Sequence, residues 1–193
     1  SIAPGIISPI AYIPSTLVSK YSLTCINMPK LGKIRVENYG GLFWGCHSLT
    51  TVDLTMFDTS SATEMSSMFR DCYKLTLLNL THFDTSNVTS MYAMFSGCNT
   101  LTALNLSSFN TSKVTNFSTL FSYCISLTEI DLSSLDTQNV TNMSMMFYGC
   151  SGLTTLDLAP LNTQNVTSMN KMFSDCSGLI ALNLSSFDTQ NVA

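Results

Sequence analysis

Apolar residues recur along this chain with a period of 26 residues, and polar residues fill the positions between them. Each period contains the pattern L-x-x-L-x-L, whose last part alternates apolar and polar residues as a half-buried strand does. The pattern begins at Leu49, Leu75, Leu101, Leu127, Leu153 and Leu179. A fixed period of this length indicates a repeat protein whose units pack only on their neighbours.

A second apolar set follows each strand pattern at spacings of three and four residues. In one repeat its members are Phe83, Val88, Met91, Met94 and Phe95. Such spacings predict a short helix or helical turn with one buried stripe. A start capped by Asp84 would pair Phe83 with Val88 as a hydrophobic staple. A start capped by Thr89 would instead give a shorter helix after an extended segment. The cap candidates equivalent to Asp84 are Asn110, Asp136 and Asn162.

The position before each cysteine of the repeat is expected to end this helix in a left-handed conformation. Glycine stands there in three repeats, at Gly45, Gly97 and Gly149. Asp71 and Asp175 tolerate a left-handed backbone, whereas Tyr123 fits it poorly.

These patterns predict an α/β solenoid of about seven coils, a coil being one 26-residue circuit of the chain. A parallel sheet would form one face, and short helices or helical turns would form the other. Residues 46–193 carry the regular repeats. Residues 1–45 fit the same register loosely and are expected to form a degenerate N-terminal cap. The chain has no initiator methionine and stops partway through a repeat, so we expect a segment of a longer protein.

Six cysteines occupy one column of the repeat: Cys46, Cys72, Cys98, Cys124, Cys150 and Cys176. Coils about 5 Å apart would bring neighbouring cysteines within the Cα range of a disulfide. However, one cysteine per coil is also typical of a small buried apolar residue. Metal sites favour close pairs such as C-x-x-C, which the sequence lacks. We therefore interpret the column as buried free thiols, with disulfides and a metal site as the alternatives.

Charged residues make up only 10% of the chain, and Ser, Thr and Asn replace them on the predicted surface. Residues 1–35 carry a charge of +4, whereas residues 36–193 carry twelve acids and four bases. This balance argues against nucleic acid as a partner, because nucleic acid is bound by neutralising its phosphates with Lys and Arg. We interpret the basic end as part of the cap; docking of a neighbouring domain or an anionic surface is the alternative.

The sequence contains no membrane span or signal peptide of the usual kind. Residues 1–19 are uncharged, but Pro4, Pro9 and Pro14 interrupt them and no basic segment precedes them. Any export signal or anchor is expected outside this chain. The sequence shows no nucleophile–base pair, paired carboxylates or phosphate-binding loop. We therefore expect neither catalytic activity nor a cofactor.

Threonine forms two further columns of the repeat. One contains Thr59, Thr85, Thr111, Thr137, Thr163 and Thr189, and the other contains Thr63, Thr89, Thr115, Thr141 and Thr167. We interpret both as cap and turn hydrogen bonds. A water-ordering surface is the alternative.

The run C-x-x-L-T-x-L-D/N-L-S-x-F-D-T-S/Q-N-V-T-x-M-x-x-M-F resembles the repeat of BspA-like bacterial surface proteins, a divergent branch of the leucine-rich repeats. The match covers residues 46–193 closely and residues 20–45 loosely. The resemblance implies a solenoid with a parallel sheet along one face and export to the cell surface. Some such proteins are associated with adhesion to host components, but the repeat carries no defined site.

Ligand specificity is expected where the repeats differ, and they differ most around each cysteine. The aromatic and basic residues found there, which we name the coil-edge ridge, are Trp44, His47, Arg70, Tyr73, Lys74, Tyr123 and Tyr148. Aromatic residues and Arg are enriched at binding hot spots. The alternative binding face is the outward row Asp53, Asn79, Asn105, Asp131, Asp157 and Asn183. Calcium binding by this row is disfavoured because half of its members are amides.

These features predict a non-catalytic, adhesin-like repeat module, secreted or held on the bacterial cell surface. Its expected partners are host or neighbouring-cell proteins or glycans. The alternative is a structural spacer that holds another domain away from the cell.

Overall fold

The computed structural model describes residues 33–193 and the backbone of a two-residue strand further toward the N-terminus. Strand β1 is Cys25–Ile26 and strand β2 is Thr51–Val52. The two strands are parallel, with Cys25 opposite Thr51. The paired residues are one 26-residue repeat apart, as the sequence register predicts. The rest of the predicted cap, including residues 1–24 and 27–32, lies outside the described residues.

The buried side chains form one continuous core that runs through all of the described coils. One phenylalanine per coil stacks on the next, with ring centroids 5.4–6.0 Å apart and interplanar angles of 2–20°. The column contains Phe43, Phe69, Phe95, Phe121, Phe147 and Phe173. The core also includes Tyr39 and Phe43, so the described part of the predicted cap continues the same stack.

A segment around these phenylalanines joins each coil to the next through its backbone. We call it the turn segment; it comprises residues 39–46, 65–72, 91–98, 117–124, 143–150 and 169–176. In the first five of these segments alternate N–H groups donate to the following coil, as from Phe69 to the Met94 carbonyl (2.9 Å). The N–H groups between them bond locally, as from Cys72 to the Phe69 carbonyl (3.2 Å). Every second donor of the segment therefore holds two coils together.

Of the predicted short helix or helical turn, the helix is wrong: residues 33–193 contain no helix, and this segment consists of turns. The predicted left-handed position before each cysteine is present, with φ of 71–76° at the three glycines and 59–61° at Asp71, Tyr123 and Asp175. A second left-handed position, which the apolar spacing does not reveal, lies four residues earlier. It is occupied by Gly41, Ser67, Ala93, Thr119, Met145 and Lys171. Left-handed residues at this interval prevent a helix and turn alternate N–H groups toward the next coil.

The predicted helix caps have a different role. Asp84 accepts a hydrogen bond from the Ser86 N–H (2.9 Å), and Asn110 accepts one from the Ser112 N–H (3.1 Å). The predicted acceptor role is therefore correct, but it forms an Asx turn and no helix follows.

The predicted parallel sheet on the leucine face forms only at β1 and β2 within the described part of the chain. Elsewhere on this face backbone bonds join neighbouring coils at the start of the pattern, as from Thr128 to Thr102 (3.2 Å), and from Ile34 to the Met56 carbonyl (2.8 Å). Isolated parallel bridges lie directly before the turn segments, one per coil from Asn38 to Ser168, and a further bridge joins Ile34 and Phe57. The coils are thus held together mainly on the side opposite to the one predicted.

Buried threonines provide a further connection between coils. The Thr85 hydroxyl donates to the Asn110 carbonyl (2.9 Å) and accepts from the Asn110 N–H (2.8 Å). Thr137 makes the same pair of bonds with Asn162. These hydroxyls satisfy backbone groups of the following coil, rather than capping a helix of their own.

We predict that Leu104→Asp unfolds the central coils. Leu104 is 8% exposed, and an unpaired carboxylate in its place should lower the free energy of unfolding by more than about 4 kcal/mol. Asn105→Asp is the matched control, because Asn105 is exposed and its column already contains Asp131. Urea unfolding followed by circular dichroism measures both; equal stability of the two variants would contradict the register.

We predict that Thr119→Gly stabilises the protein by about 1 kcal/mol. Thr119 is β-branched with φ 55°, and its hydroxyl is buried with no hydrogen-bond partner among the described residues. Glycine removes both costs, and Gly41 already occupies the same column. Thr115→Gly, at a position without positive φ, is the control and should be destabilising. Thermal unfolding of the two variants should move in opposite directions; a lower midpoint for Thr119→Gly would refute the assignment of strain.

Candidate functional site

The coil-edge ridge lies where the turn segments end and the leucine patterns begin. Trp44 is 44% exposed, Tyr73 is 40% exposed and Tyr123 is 50% exposed. Because their positions in the repeat are close, the structure brings ridge residues of neighbouring coils into contact. They form two separate groups, one near each end of the described solenoid.

The first group centres on Trp44. Its indole Nε1 donates to Asp71 Oδ2 (3.1 Å), and the Arg70 guanidinium carbon lies 5.3 Å from the centre of its ring. Arg70 Nε is 3.6 Å from the same Asp71 oxygen. The exposed indole is thus fixed by a hydrogen bond at its edge and a cation–π contact on its face.

His47 and Tyr73 belong to the same group and occupy equivalent positions of the repeat in two neighbouring coils. Their rings stack with centroids 4.6 Å apart and an interplanar angle of 10°. Partial burial, and then the nearby Asp71 carboxylate, raise the pKa of Tyr73. Lys74 is exposed beside them.

The second group contains Tyr123, Tyr148 and Asp175. The two tyrosine rings meet edge to face, with centroids 5.1 Å apart. Interaction of the Tyr148 hydroxyl with the Asp175 carboxylate, and then with Tyr123, raises the pKa of Tyr148. The Tyr123 ring also covers Gly149, where an added Cβ would lie 2.8 Å from the ring. Small residues such as Ser96, Gly97 and Ser122 separate this group from the first.

Asp71 and Asp175 lie beside the ridge but were not predicted from the sequence as binding residues. Asp71 accepts the hydrogen bond of the Trp44 indole, and Asp175 interacts with the Tyr148 hydroxyl. The available signal was their left-handed backbone position, which was interpreted only as a helix end. An acidic residue beside exposed aromatics in the next coil was the feature to look for.

The alternative face is built differently. Each Asp or Asn of the outward row accepts a hydrogen bond from the N–H two residues later, as Asp131 does from Ser133 (2.8 Å). Hydrogen bonds from Thr55 and Ser133 lower the pKa of Asp53 and Asp131, respectively. The row therefore forms Asx turns within each coil, and one oxygen per residue is already committed to the backbone.

The cysteine column lies beneath the ridge, and its thiols are poorly reactive. The cysteines from Cys72 to Cys176 are free thiols, and those at positions 46 to 150 are buried. Each thiol from Cys72 onward donates to the phenylalanine carbonyl of the preceding coil, as Cys124 does to Phe95 (3.2 Å). Burial raises the pKa of Cys124 to about 12. Within residues 33–193, no three His, Cys, Asp or Glu side chains are grouped to hold a metal ion.

A repeat of this length, stacked through one backbone ladder, can be compared with known families. The family described as "Mycoplasma protein of unknown function, DUF285" matches residues 20–129 and 94–193. The chain belongs to this family. No curated protein matches this DUF285 chain.

Two solved leucine-rich repeat proteins are similar to this DUF285 chain. The T. pallidum protein TpLRR is 20% identical with a TM-score of 0.52, and the match covers 83% of this chain and 66% of that one. A protein from Bacteroides ovatus ATCC 8483 is 19% identical with a TM-score of 0.45, over 81% of this chain and 54% of that one. The chain thus spans less than two thirds of either protein. The likeness to TpLRR supports a leucine-rich repeat solenoid and says nothing of a ligand.

The finer resemblance to BspA-like proteins stays a prediction, since neither the matching family nor the two similar proteins are described as BspA-like. The part of the DUF285 chain that the structure describes contains no helix of the length and apolar character needed to cross a membrane.

The thiol column predicts that stability falls at alkaline pH. The pKa of Cys124 is about 12 in the folded chain against an ordinary 9.0, so between these values only the unfolded chain loses the proton. Stability from this thiol is complete below pH 9.0 and declines above it by up to about 1.4 kcal/mol per pH unit. Urea unfolding between pH 8 and 10.5, under reducing conditions, should show a shallower decline for Cys124→Ala than for the parent. Parallel declines would contradict the burial of an un-ionised thiol.

Proposed function

We propose that this chain is a non-catalytic module that binds another protein through its coil-edge ridge, on the outside of a bacterial cell. The observation that carries the proposal is the state of Trp44. Its ring is 44% exposed, yet Arg70 and Asp71 hold it in place. A large aromatic side chain that is already ordered loses little entropy on binding, which is the usual property of a hot spot.

The second aromatic group extends the same surface. Tyr148 lies four repeats after Trp44, its ring meets that of Tyr123 edge to face, and its hydroxyl interacts with the Asp175 carboxylate. Two ordered aromatic groups with small residues between them suit a partner that contacts both. The surface proteins that the repeat resembles support the extracellular location.

A structural spacer is the second candidate function. The stacked phenylalanines and the threonine hydroxyl bonds recur from coil to coil and fasten the solenoid along its length. Such uniform connections favour a stiff rod. In that case the binding surface would belong to another domain of the longer protein.

The experiment is a surface plasmon resonance screen of the folded chain against host extracellular-matrix proteins and glycans. We expect saturable binding to at least one protein. Replacing Trp44, Tyr73 and Tyr148 with alanine should weaken it by about 100-fold, the effect of a few hot-spot residues.

Tyr92→Ala is the matched control, because Tyr92 is an exposed aromatic (38%) outside the ridge. Its affinity should change by less than about twofold. Equal losses in the control and the ridge variant would refute the site. Absence of binding to every member of the panel would favour the spacer.

A further inference from the structure

The leucine patterns present a second surface, distinct from the coil-edge ridge. We call it the extended-segment face; it comprises residues 50–56, 76–82, 102–108, 128–134, 154–160 and 180–186. These segments contain four acids, Asp53, Glu129, Asp131 and Asp157, and neither Lys nor Arg. All four carboxylates are exposed. None forms an ion pair with another described residue, since the pairs present are Arg35–Asp58 and Arg70–Asp71.

The middle of this face also contains backbone groups without a partner. The N–H and C=O groups of residues 103–105 and 129–131 make no hydrogen bond within the described part of the chain. Between these two segments lies an open cleft of about 420 Å³, lined by Asn105, Ser107, Glu129 and Asp131 among others. The predicted sheet would have paired the backbone groups of these two segments with each other, but they form no such bonds here.

We propose that the extended-segment face binds a basic, extended segment of another protein, with an arginine side chain in the cleft between residues 103–107 and 129–131. This inference goes beyond the function proposed above, because it uses a different face and does not depend on the ridge.

The chemistry of the cleft selects arginine. A guanidinium carries five N–H donors and no acceptor. The cleft offers the Glu129 and Asp131 carboxylates together with carbonyl groups that have no partner of their own. Bidentate pairing with a carboxylate is the strong form of this interaction. Lysine, a point charge with three donors, would match fewer of these acceptors.

The remaining features fit an extended peptide better than a free cation. The unpaired N–H and C=O groups suit the main chain of a partner. Leu77, which is 69% exposed on the same face, offers an apolar contact beside the acids. In an extended peptide alternate side chains point to one side, so a basic residue at every second position would meet the face repeatedly.

The probe is a short fluorescein-labelled peptide in which arginine and serine alternate, and fluorescence anisotropy measures its binding to the folded chain. Combining Glu129→Gln with Asp131→Asn should weaken binding by about tenfold. The double change of Asp84→Asn with Asp136→Asn is the matched control, since it removes the same charge away from this face. Asn already occurs in the columns of Asp84, Asp131 and Asp136, which supports folding of both variants. The control should change affinity by less than about twofold.

A third variant separates the cleft from its charge. Ala103→Trp places a large ring at an exposed position of the cleft and leaves the carboxylates intact. It should also weaken binding by about tenfold if an arginine must enter. The alanine variant of the ridge should bind the peptide normally, whatever the outcome of the matrix-protein screen.

Several results would overturn the proposal. Equal losses in the acidic variant and its control would mean diffuse attraction to an acidic rod. Full affinity in Ala103→Trp would mean that the cleft is not used. An equal affinity for the peptide with glutamate in place of arginine, or displacement by CaCl₂ far beyond NaCl of the same ionic strength, would remove the basic segment as the occupant.

Discussion

In the turn segments from residues 39–46 to residues 143–150, alternate N–H groups donate to the carbonyls of the coil that follows, and the other features of the solenoid depend on this ladder. It requires a left-handed residue twice per turn segment, at positions such as Thr119 and Tyr123. The ladder sets the spacing at which the phenylalanine rings stack and at which each thiol meets a carbonyl. Loss of the left-handed geometry at one coil would therefore disturb backbone bonds, ring stacking and core contacts together.

The ladder lies on one side of the solenoid, and this asymmetry divides the surface into two regions of different chemistry. In the turn segments most backbone N–H groups are paired, the Trp44 indole is held by Asp71, and the Tyr148 hydroxyl interacts with Asp175. On the leucine side the coils are joined mainly through side chains, as from Ser134 to the Leu106 carbonyl (2.9 Å). The backbone between them stays open, and the exposed acids lie there. One region is thus suited to aromatic hot-spot binding and the other to a donor-rich, basic ligand.

Polar residues hold this fold together to an unusual degree. The hydroxyls of buried threonines such as Thr85 and Thr137 both donate to and accept from the next coil. Each hydroxyl thus pairs with one backbone C=O and one backbone N–H of that coil, which would otherwise need backbone partners. Asp and Asn close turns within each coil, as Asp131 does. The polar, weakly charged composition therefore reflects repeated local bonds as much as solvation. This leaves only the sparse charged and aromatic positions free to distinguish one coil from another.

The sequence by itself determined the period, the register and the core, because an apolar residue that recurs every 26 positions must face the same interior in each coil. It also determined the left-handed position before each cysteine, since glycine marks it in three repeats. Only the tertiary structure decided that the second apolar set forms turns and not a helix. The spacing of Met91, Met94 and Phe95 is the same in both, and the difference lies in N–H groups that bond to a coil 25 residues away. The same holds for the site: the aromatics were visible in the sequence, but the pairing of Trp44 with Asp71 exists only because stacking places consecutive coils side by side.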